Sequence, residues 1–559
     1  MSNRISCIIM FLVLIAVFAA AVFSIKDDSL TMDELAHLPA GYSYLTQKDM
    51  RLNPEHPPLI KDLAAIPLLF IKNITFPAEI KAWREDVNGQ WDFGNYFLYQ
   101  SKNPADEIIF RGRIPMILML LLLGFYIFKW AKELFGNKAA VLSISLFSLS
   151  PALLAQGRLV TTDVGAAFGV FAASYYFLRA LKLPNLRNVA LAGAFLGIGL
   201  LLKFSAILLI PFFGILGIAW LLKKSGSFKQ TTKTVSLIFL IGFILIWPVY
   251  QYHTLGYPPE KQADDAKTYL AGQPDFIKQP IVYAAKTPIL RPYAQYLTGL
   301  FMVFQRVSGG NTTYFLGEVN NQAWKYYFPV IYLIKEPLAF HILTLIAFLY
   351  GLKRIRKMSF PVFASLLFIA IYWIASINGN LNIGVRHLLP VFPFTIFLVA
   401  GGIGKLLEGR YLKTRYLLLS GLIAWQAWSV ASVYPHFLAY FNELAGGPDN
   451  GYKYAVDSNL DWGQDLKRLA RWVEKNNIPE IKIAYFGGGD PKYYLGDKAK
   501  YFSWEKPQKG WIAVSATLLQ GGRGKPAPGF NQPTGFFDWL NQYPLQEKIG
   551  YSIFIYRIE

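Results

Sequence analysis

Eleven apolar stretches of 14 to 23 residues punctuate this chain, and they constrain its fold more than anything else in the sequence. They run over 5–24, 114–130, 139–156, 164–181, 189–202, 204–222, 235–252, 328–350, 360–376, 388–404 and 416–434. A stretch near 20 apolar residues is what a helix needs to cross a bilayer core. Only helices and closed barrels satisfy their backbone groups there. The expected fold is therefore a polytopic α-helical membrane protein of about eleven transmembrane helices. Composition agrees: only 16% of the 559 residues are charged, against ~25% in soluble domains. The fifth and sixth stretches meet at Lys203, so they form either a hairpin or one broken helix. The first, with Arg4 before it and small residues at 19–21, resembles a signal peptide, but ten further spans make an uncleaved anchor the expectation.

The net charge of +20 does not indicate nucleic acid, because the basic residues cluster in alternate short loops. These are Lys129/Lys132/Lys138, Arg179/Lys182/Arg187, Lys223/Lys224/Lys229/Lys233, Lys353/Arg354/Arg356/Lys357 and Lys405/Arg410/Lys413/Arg415. By the positive-inside rule these loops and the N-terminus are cytoplasmic. Eleven crossings of a plasma membrane then place the C-terminus outside, with the long stretches 25–113, 253–327 and 435–559. Residues 1–434 are expected to form the transmembrane domain with outer loops 25–113 and 253–327. Residues 435–559 read as a small extracytoplasmic α/β domain, with an amphipathic helix over 461–476 and strands at 481–487, 511–517 and 551–558. Leu35, Leu38, Tyr42 and Leu45, then Leu59, Leu63, Ile66 and Phe70, form helical stripes in the first loop, as two surface helices would.

The single Cys7 excludes a disulfide framework, and neither GxGxxG nor GxxxxGKS/T is present. The chemistry-bearing residues lie at the outer ends of the spans. Asp33 and Glu34 sit in TMDELAHLPAGYSYL. Glu34 fits a capping box behind Thr31; Asp33 is left over and can serve as a base toward an acceptor hydroxyl or amine. In RLNPEHPPLIKDL, prolines hold Glu55 and His56, either as a rigid connector or as part of a site. Arg158 and Asp163 fall in GRLVTTDVG, Lys203 at a span end, and Arg386 in NIGVRHLLP. Secondary transporters place ionisable groups near the midplane. Here the spans hold few acids, apart from the Lys335–Glu336 pair. Chemistry at the outer leaflet is therefore favoured over a flippase or transporter, and over a cell-envelope scaffold, which has no use for these groups.

Taken in order, the Asp-Glu pair, NPEHPPL, RLVTTD and the lysine-terminated fifth span resemble the membrane glycosyltransferases of the GT-C fold. The pattern is similar to bacterial members of the dolichyl-phosphate-mannose-protein mannosyltransferase family and to the aminoarabinose lipid A transferases. The likeness is best over residues 1 to about 260 and extends loosely through YFLGEVNNQAW and IGVRHLLP to NELAGG and DSNLDWGQDL. It implies a polyprenyl-phosphate sugar donor and transfer on the extracytoplasmic face; Asp33 as general base on the acceptor then gives direct displacement with inversion, and the covalent alternative needs a second carboxylate as nucleophile, for which Asp163 is the candidate. The resemblance assigns Asp33 as the catalytic aspartate, Asp163 as the second-loop acid, and Lys203 as a neighbour of the lipid phosphate. Glu34, Glu55, His56, Arg158 and Arg386 are expected to bind substrate. LKFS at 202–205 departs from the TKGP often seen in the family, and the acceptor (glycolipid, polysaccharide or protein) is open. No cofactor is required by this reading. A divalent metal is the alternative, with Asp33, Glu55, His56 and Asp163 as its candidate ligands.

Overall fold

The structure, a computed structural model, describes residues 1–408, 411–502 and 506–559; Arg410, among the basic residues named above, lies outside them. All eleven apolar stretches are helical for most of their length. The helices used below are α1 (Asn3–Ile25), α2 (Met32–Gln47), α3 (Leu59–Ala65), α4 (Ala105–Phe135), α5 (Asp163–Lys182), α6 (Leu186–Leu202), α7 (Phe204–Leu222), α8 (Phe228–Thr254), α9 (Arg291–Gly309), α10 (Tyr327–Lys335), α11 (Leu338–Leu352), α12 (Phe360–Asn378), α13 (Val385–Leu406), α14 (Leu412–Ala431) and α15 (Leu466–Lys475).

Among the described residues, seven helices are long and apolar enough to span a bilayer: α1, α4, α5, α7, α8, α12 and α13. An eighth counts if α10 and α11, bent by 112° at Glu336–Pro337, form one broken span. The chain is thus a multi-span membrane protein. The other stretches are helical but fall short by length or composition. The 139–156 stretch breaks at Ser150–Pro151, where the ring of proline cannot continue a helix. Helix α6 has 17 residues, and α14 carries polar residues into its first turns. Helix α4 starts at Ala105, inside the stretch read as loop. At 1.5 Å per residue its 31 residues reach roughly 46 Å, well beyond a ~30 Å hydrocarbon core.

Helix α5 is the bundle's axis, buried along nearly its whole length against α4, α6, α8 and α13. It approaches α6 at two glycines: a Cβ on Gly169 would meet the Cα of Gly199 at 2.9 Å. Backbones that close are the usual means of packing helices where lipid removes the hydrophobic drive.

Two expectations for the outer loops are corrected. Helix α2 does not lie on a surface. It is enclosed by α3, by the helix Gln90–Asn95 and by α4, and residues from Glu34 to Gly41 are buried. Its apolar stripe is one part of a helix buried on several sides. The stretch 253–327 also contains more than loop. The 19-residue helix α9 packs on α8, and the hairpin β1 (Thr313–Phe315) and β2 (Glu318–Asn320) follows it.

The C-terminal region holds five strands in the order β4-β3-β5-β8-β7, formed by β3 (Ile481–Ala484), β4 (Ala499–Lys500), β5 (Gly510–Ser515), β7 (Leu545–Ile549) and β8 (Ile553–Ile558). The short strand β6 (Lys525–Pro526) instead joins β2 in parallel. The sheet and α15 enclose a second core around Leu469, Ile481 and Ile555. The segment before α15 belongs to the bundle. Phe437, Leu460 and Trp462 sit in the main core, and the Nζ of Lys335 donates to the carbonyls of Leu438, Tyr440 and Asn459 at 2.9, 2.5 and 2.6 Å. The buried Lys335–Glu336 pair thus pins this segment at the α10–α11 bend.

Candidate active site

The start of α2 is held from both ends of the chain. Ser29 N–H donates to the Gln464 carbonyl at 2.9 Å and Met32 N–H to the Trp462 carbonyl at 3.0 Å. Gly463, between them, has φ +97°, a conformation that glycine adopts without steric cost. This docking aims the first turn of α2, with Asp33 on it, at a cavity of about 130 Å³. Asp33, Glu55, His56, Lys203, Arg306 and Arg386 are on its wall.

Charge is the organising feature. The Nη1 of Arg386 donates to Asp33 Oδ2 at 2.7 Å and to Asp163 Oδ2 at 3.3 Å. Lys203 donates to the other oxygen of Asp163. Asp163 opens α5, where the helix dipole favours a carboxylate, and Lys203 closes α6, where it favours a cation. The Arg386 guanidinium lies 4.4 Å from the Trp462 ring, a cation–π contact, and its Nε donates to Ser458 Oγ at 3.2 Å. Asp163 is fully buried behind the two cations, and Asp33 keeps 20% of its side chain exposed. Asp33 is therefore the carboxylate a substrate can reach. Asp163 has both oxygens engaged and no access to the cavity, so its position suits orienting Lys203 and Arg386, not attack on a substrate.

The NPEH segment forms the opposite wall. Its scaffold is Lys61, whose buried Nζ donates to Asn53 O at 2.7 Å, Asn53 Oδ1 at 2.8 Å, His56 O at 2.8 Å and Tyr44 Oη at 3.1 Å. Burial pushes this amine down to about 7, with Asp62 and Glu55 opposing the shift. Glu55 pairs with Arg306 at 3.1 Å. His56 meets His37 edge-on, ring centroids 5.2 Å apart. Burial lowers both imidazoles, His56 well below its ordinary range, so they face the cavity neutral. Among the described residues no three His, Cys, Asp or Glu side chains are grouped as metal ligands would be.

Two residues expected to bind substrate lie elsewhere. Glu34 is inside the protein, where its carboxylate accepts from the Thr31 N–H and hydroxyl, the Val160 N–H, and both Nε and Nη2 of Arg113, all between 2.6 and 2.9 Å. It is a capping residue converted into a clamp between α2, α4 and the RLVTT loop. Arg158 is equally buried, paired with Asp28 at 2.5 Å and with Ser24 Oγ at 3.1 Å. Asp28 also binds Arg468 of α15, so this network fastens the C-terminal region to the end of α1.

Residues missed in the sequence include His37, Arg306, Lys61 and Trp462. His37 carried a signal, being one helical turn after Asp33 on the same face. Trp462 lies in DSNLDWGQDL, which was noted without a role. Arg306 lies near the end of a helix read as loop, and Lys61 was given no role.

Comparison with solved structures finds likenesses at low identity. ArnT from Cupriavidus metallidurans, solved bound to undecaprenyl phosphate, aligns at 11% identity over 99% of this chain and 98% of that one, with a TM-score of 0.48. AglB from Archaeoglobus fulgidus, in complex with an inhibitory peptide and a dolichol-phosphate, aligns at 11% over 92% of this chain and 71% of that one, TM-score 0.49. The S. cerevisiae Pmt1-Pmt2 complex bound to the sugar donor aligns at 18% over 46% of this chain and 34% of that one, TM-score 0.37. A search of curated proteins finds no match. The family model described as dolichyl-phosphate-mannose-protein mannosyltransferase matches residues 105–252. That match spans the bundle from α4 to α8, with Asp163 and Lys203 at its polar end.

Proposed function

We propose that this transferase moves a sugar from a polyprenyl-phosphate donor to an acceptor on the extracytoplasmic face, by direct displacement with Asp33 as general base. The observation that carries the reading is the shared contact of Arg386 with Asp33 and Asp163, beside Lys203, at one cavity. Within the site, cations and carboxylates neutralise each other. A donor phosphate arriving there competes for Lys203 and Arg386 and frees Asp33 from its partner. The acceptor O–H or N–H then attacks the anomeric carbon and its proton passes to Asp33. The carbon–oxygen bond to phosphate breaks, and its electron pair leaves with the polyprenyl phosphate, whose growing charge meets fixed cations. The donor class follows the family matched over residues 105–252.

The test is transfer from a radiolabelled polyprenyl-phosphate sugar into membrane extract. Lys203→Ala is expected to weaken use of the donor, and Lys223→Ala, at the other end of α7, to leave it unchanged. Equal losses would mean that both lysines are only membrane anchors.

The topology of this reading keeps the N-terminus cytoplasmic and the stretches 25–113, 253–327 and 435–559 outside. Reporter fusions at 136, 185, 226, 355 and 410 are expected to be cytoplasmic, and those at 90, 290 and 500 external. A cytoplasmic report from 90 would put Asp33 on the nucleotide-sugar side and overturn the assignment.

We hold further that the chemistry needs no bound metal, because Lys203 and Arg386 already offset the leaving phosphate. Stripping membranes with EDTA and then a zinc-selective chelator is expected to leave the transfer rate unchanged. Loss restored by one particular metal, with that metal absent from a His56→Ala variant, would make NPEH a ligand segment.

A further inference from the structure

A second cavity, of about 260 Å³, is lined in part by Asp457. Its wall is assembled from stretches far apart in sequence. Thr313 and Tyr314 come from β1, Asp457 from the docked segment, Phe486 from the end of β3, and Phe530 and Gln532 from the stretch between β6 and β7. The parallel pairing of β2 with β6 brings the hairpin and that last stretch together. Among the described residues, no lysine or arginine lines this cavity, although the chain carries a net +20. Aromatic rings, a threonine hydroxyl, a side-chain amide and one carboxylate make up the part of the lining named here.

Two neighbouring residues link this cavity to the active site. Ser458, whose hydroxyl accepts from Arg386, is adjacent to Asp457. Asp457 holds φ +53°, an unusual conformation for a residue other than glycine. It is fixed by its own N–H on Thr517 Oγ1 at 3.0 Å and by the Ser458 N–H on its carboxylate at 2.5 Å. Burial raises its carboxyl to about 6, with Arg386 opposing and the charge of Asp33 adding to the rise. Asp457 is therefore in electrostatic reach of both catalytic-side groups while it faces the second cavity.

We propose that this cavity is the acceptor subsite and that it takes a neutral sugar unit of the acceptor glycan. Aromatic rings suit the C–H faces of a pyranose, and threonine, glutamine and carboxylate side chains suit its hydroxyls. A wall without cations offers nothing to a phosphorylated headgroup or an acidic peptide. The volume is below the ~300–1,000 Å³ of drug-sized ligand sites, so one ring is seated and the rest of the acceptor projects outward. The proposal rests on the transferase reading above.

The experiment uses the full chain in nanodiscs and saturation-transfer NMR with three probes: mannobiose, glucose 6-phosphate and an acidic serine-rich peptide. Mannobiose is expected to bind the wild type, and to bind Thr313→Val and Gln532→Leu roughly fivefold more weakly, the size of one neutral hydrogen bond. The slow release of sugar from radiolabelled donor to water is expected to be unchanged in both variants, which also reports that they fold. Asp33→Asn is expected to bind mannobiose normally while losing donor turnover. Absence of mannobiose binding, equal binding by the variants, or a preference for the phosphosugar or the peptide would overturn the subsite. Mannobiose binding with no donor turnover in any form would overturn its acceptor role through failure of the transferase reading, a pattern distinct from turnover without saccharide binding.

Discussion

Asp33→Asn is expected to lower the rate of sugar transfer by about 10²–10⁴-fold, the usual loss when a positioned general base is removed. The substitution keeps the shape of the side chain and an oxygen for Arg386, so assembly of the membrane bundle should be unaffected. Glu34, the neighbouring acid that fastens α2 to α4 and to the Val160 backbone, is untouched by it. The measurement is the initial rate with radiolabelled donor at equal amounts of membrane-inserted protein. Asp163→Asn provides the contrast. Asp163 touches Lys203 and Arg386 but does not line the cavity, so its loss should raise the donor KM as well as lower kcat. A near-wild-type rate for Asp33→Asn would remove the base from the mechanism, whatever Asp163 does.

The residue types in the site were legible from the sequence because charge at the outer end of an apolar span is unusual. Asp33, Lys203 and Arg386 stood out on that ground, Glu55 and His56 because prolines hold them, and all five line one cavity. Glu34 and Arg158 stood out for the same reason, yet they are internal clamps. What separates the two groups is the partner, and the partners are remote. Arg113 is 79 residues from Glu34, and Asp28 is 130 residues from Arg158. Local periodicity carries no information about such pairs. Arg113 was also hidden because α4 starts before its apolar stretch does. Its first turns are polar on the lipid scale and helical in fact, being enclosed by α2, α3 and the C-terminal region. Three of the five strands of the C-terminal sheet, β3, β5 and β8, were read within a few residues, since β-branched and aromatic runs mark them well; the edge strands β4 and β7 were not. The docking of DWGQDL against residues 29–32 was not readable, because main-chain hydrogen bonds leave no trace in side-chain pattern.

The buried Glu34–Arg113 pair leads to the largest expected loss of stability. Both side chains are fully excluded from solvent. Burial raises the Glu34 carboxyl, and Arg113, Thr31 and Val160 together outweigh it and hold the group below its ordinary range. A pair of this kind is a weak net contributor, but removing one partner leaves an uncompensated charge in a dry interior, at roughly 3–5 kcal/mol. Arg113→Met should therefore lower stability by about that amount and sharply reduce folded protein in membranes. Glu34→Gln with Arg113→Met removes both charges and should recover part of it; the single amide oxygen of the glutamine can accept from Thr31 or from Val160 but not from both, since these use different oxygens of Glu34. The depressed carboxyl contributes stability above its unfolded value near 4.5, and this is lost as pH falls through the folded value. The wild type should thus lose stability in acid more steeply than the double variant. Thermal unfolding of detergent-solubilised protein across pH would measure both effects. A double variant no more stable than Arg113→Met alone would show that Arg113 acts through its contacts with the carbonyls of Asp28 and Ser29, and not through charge.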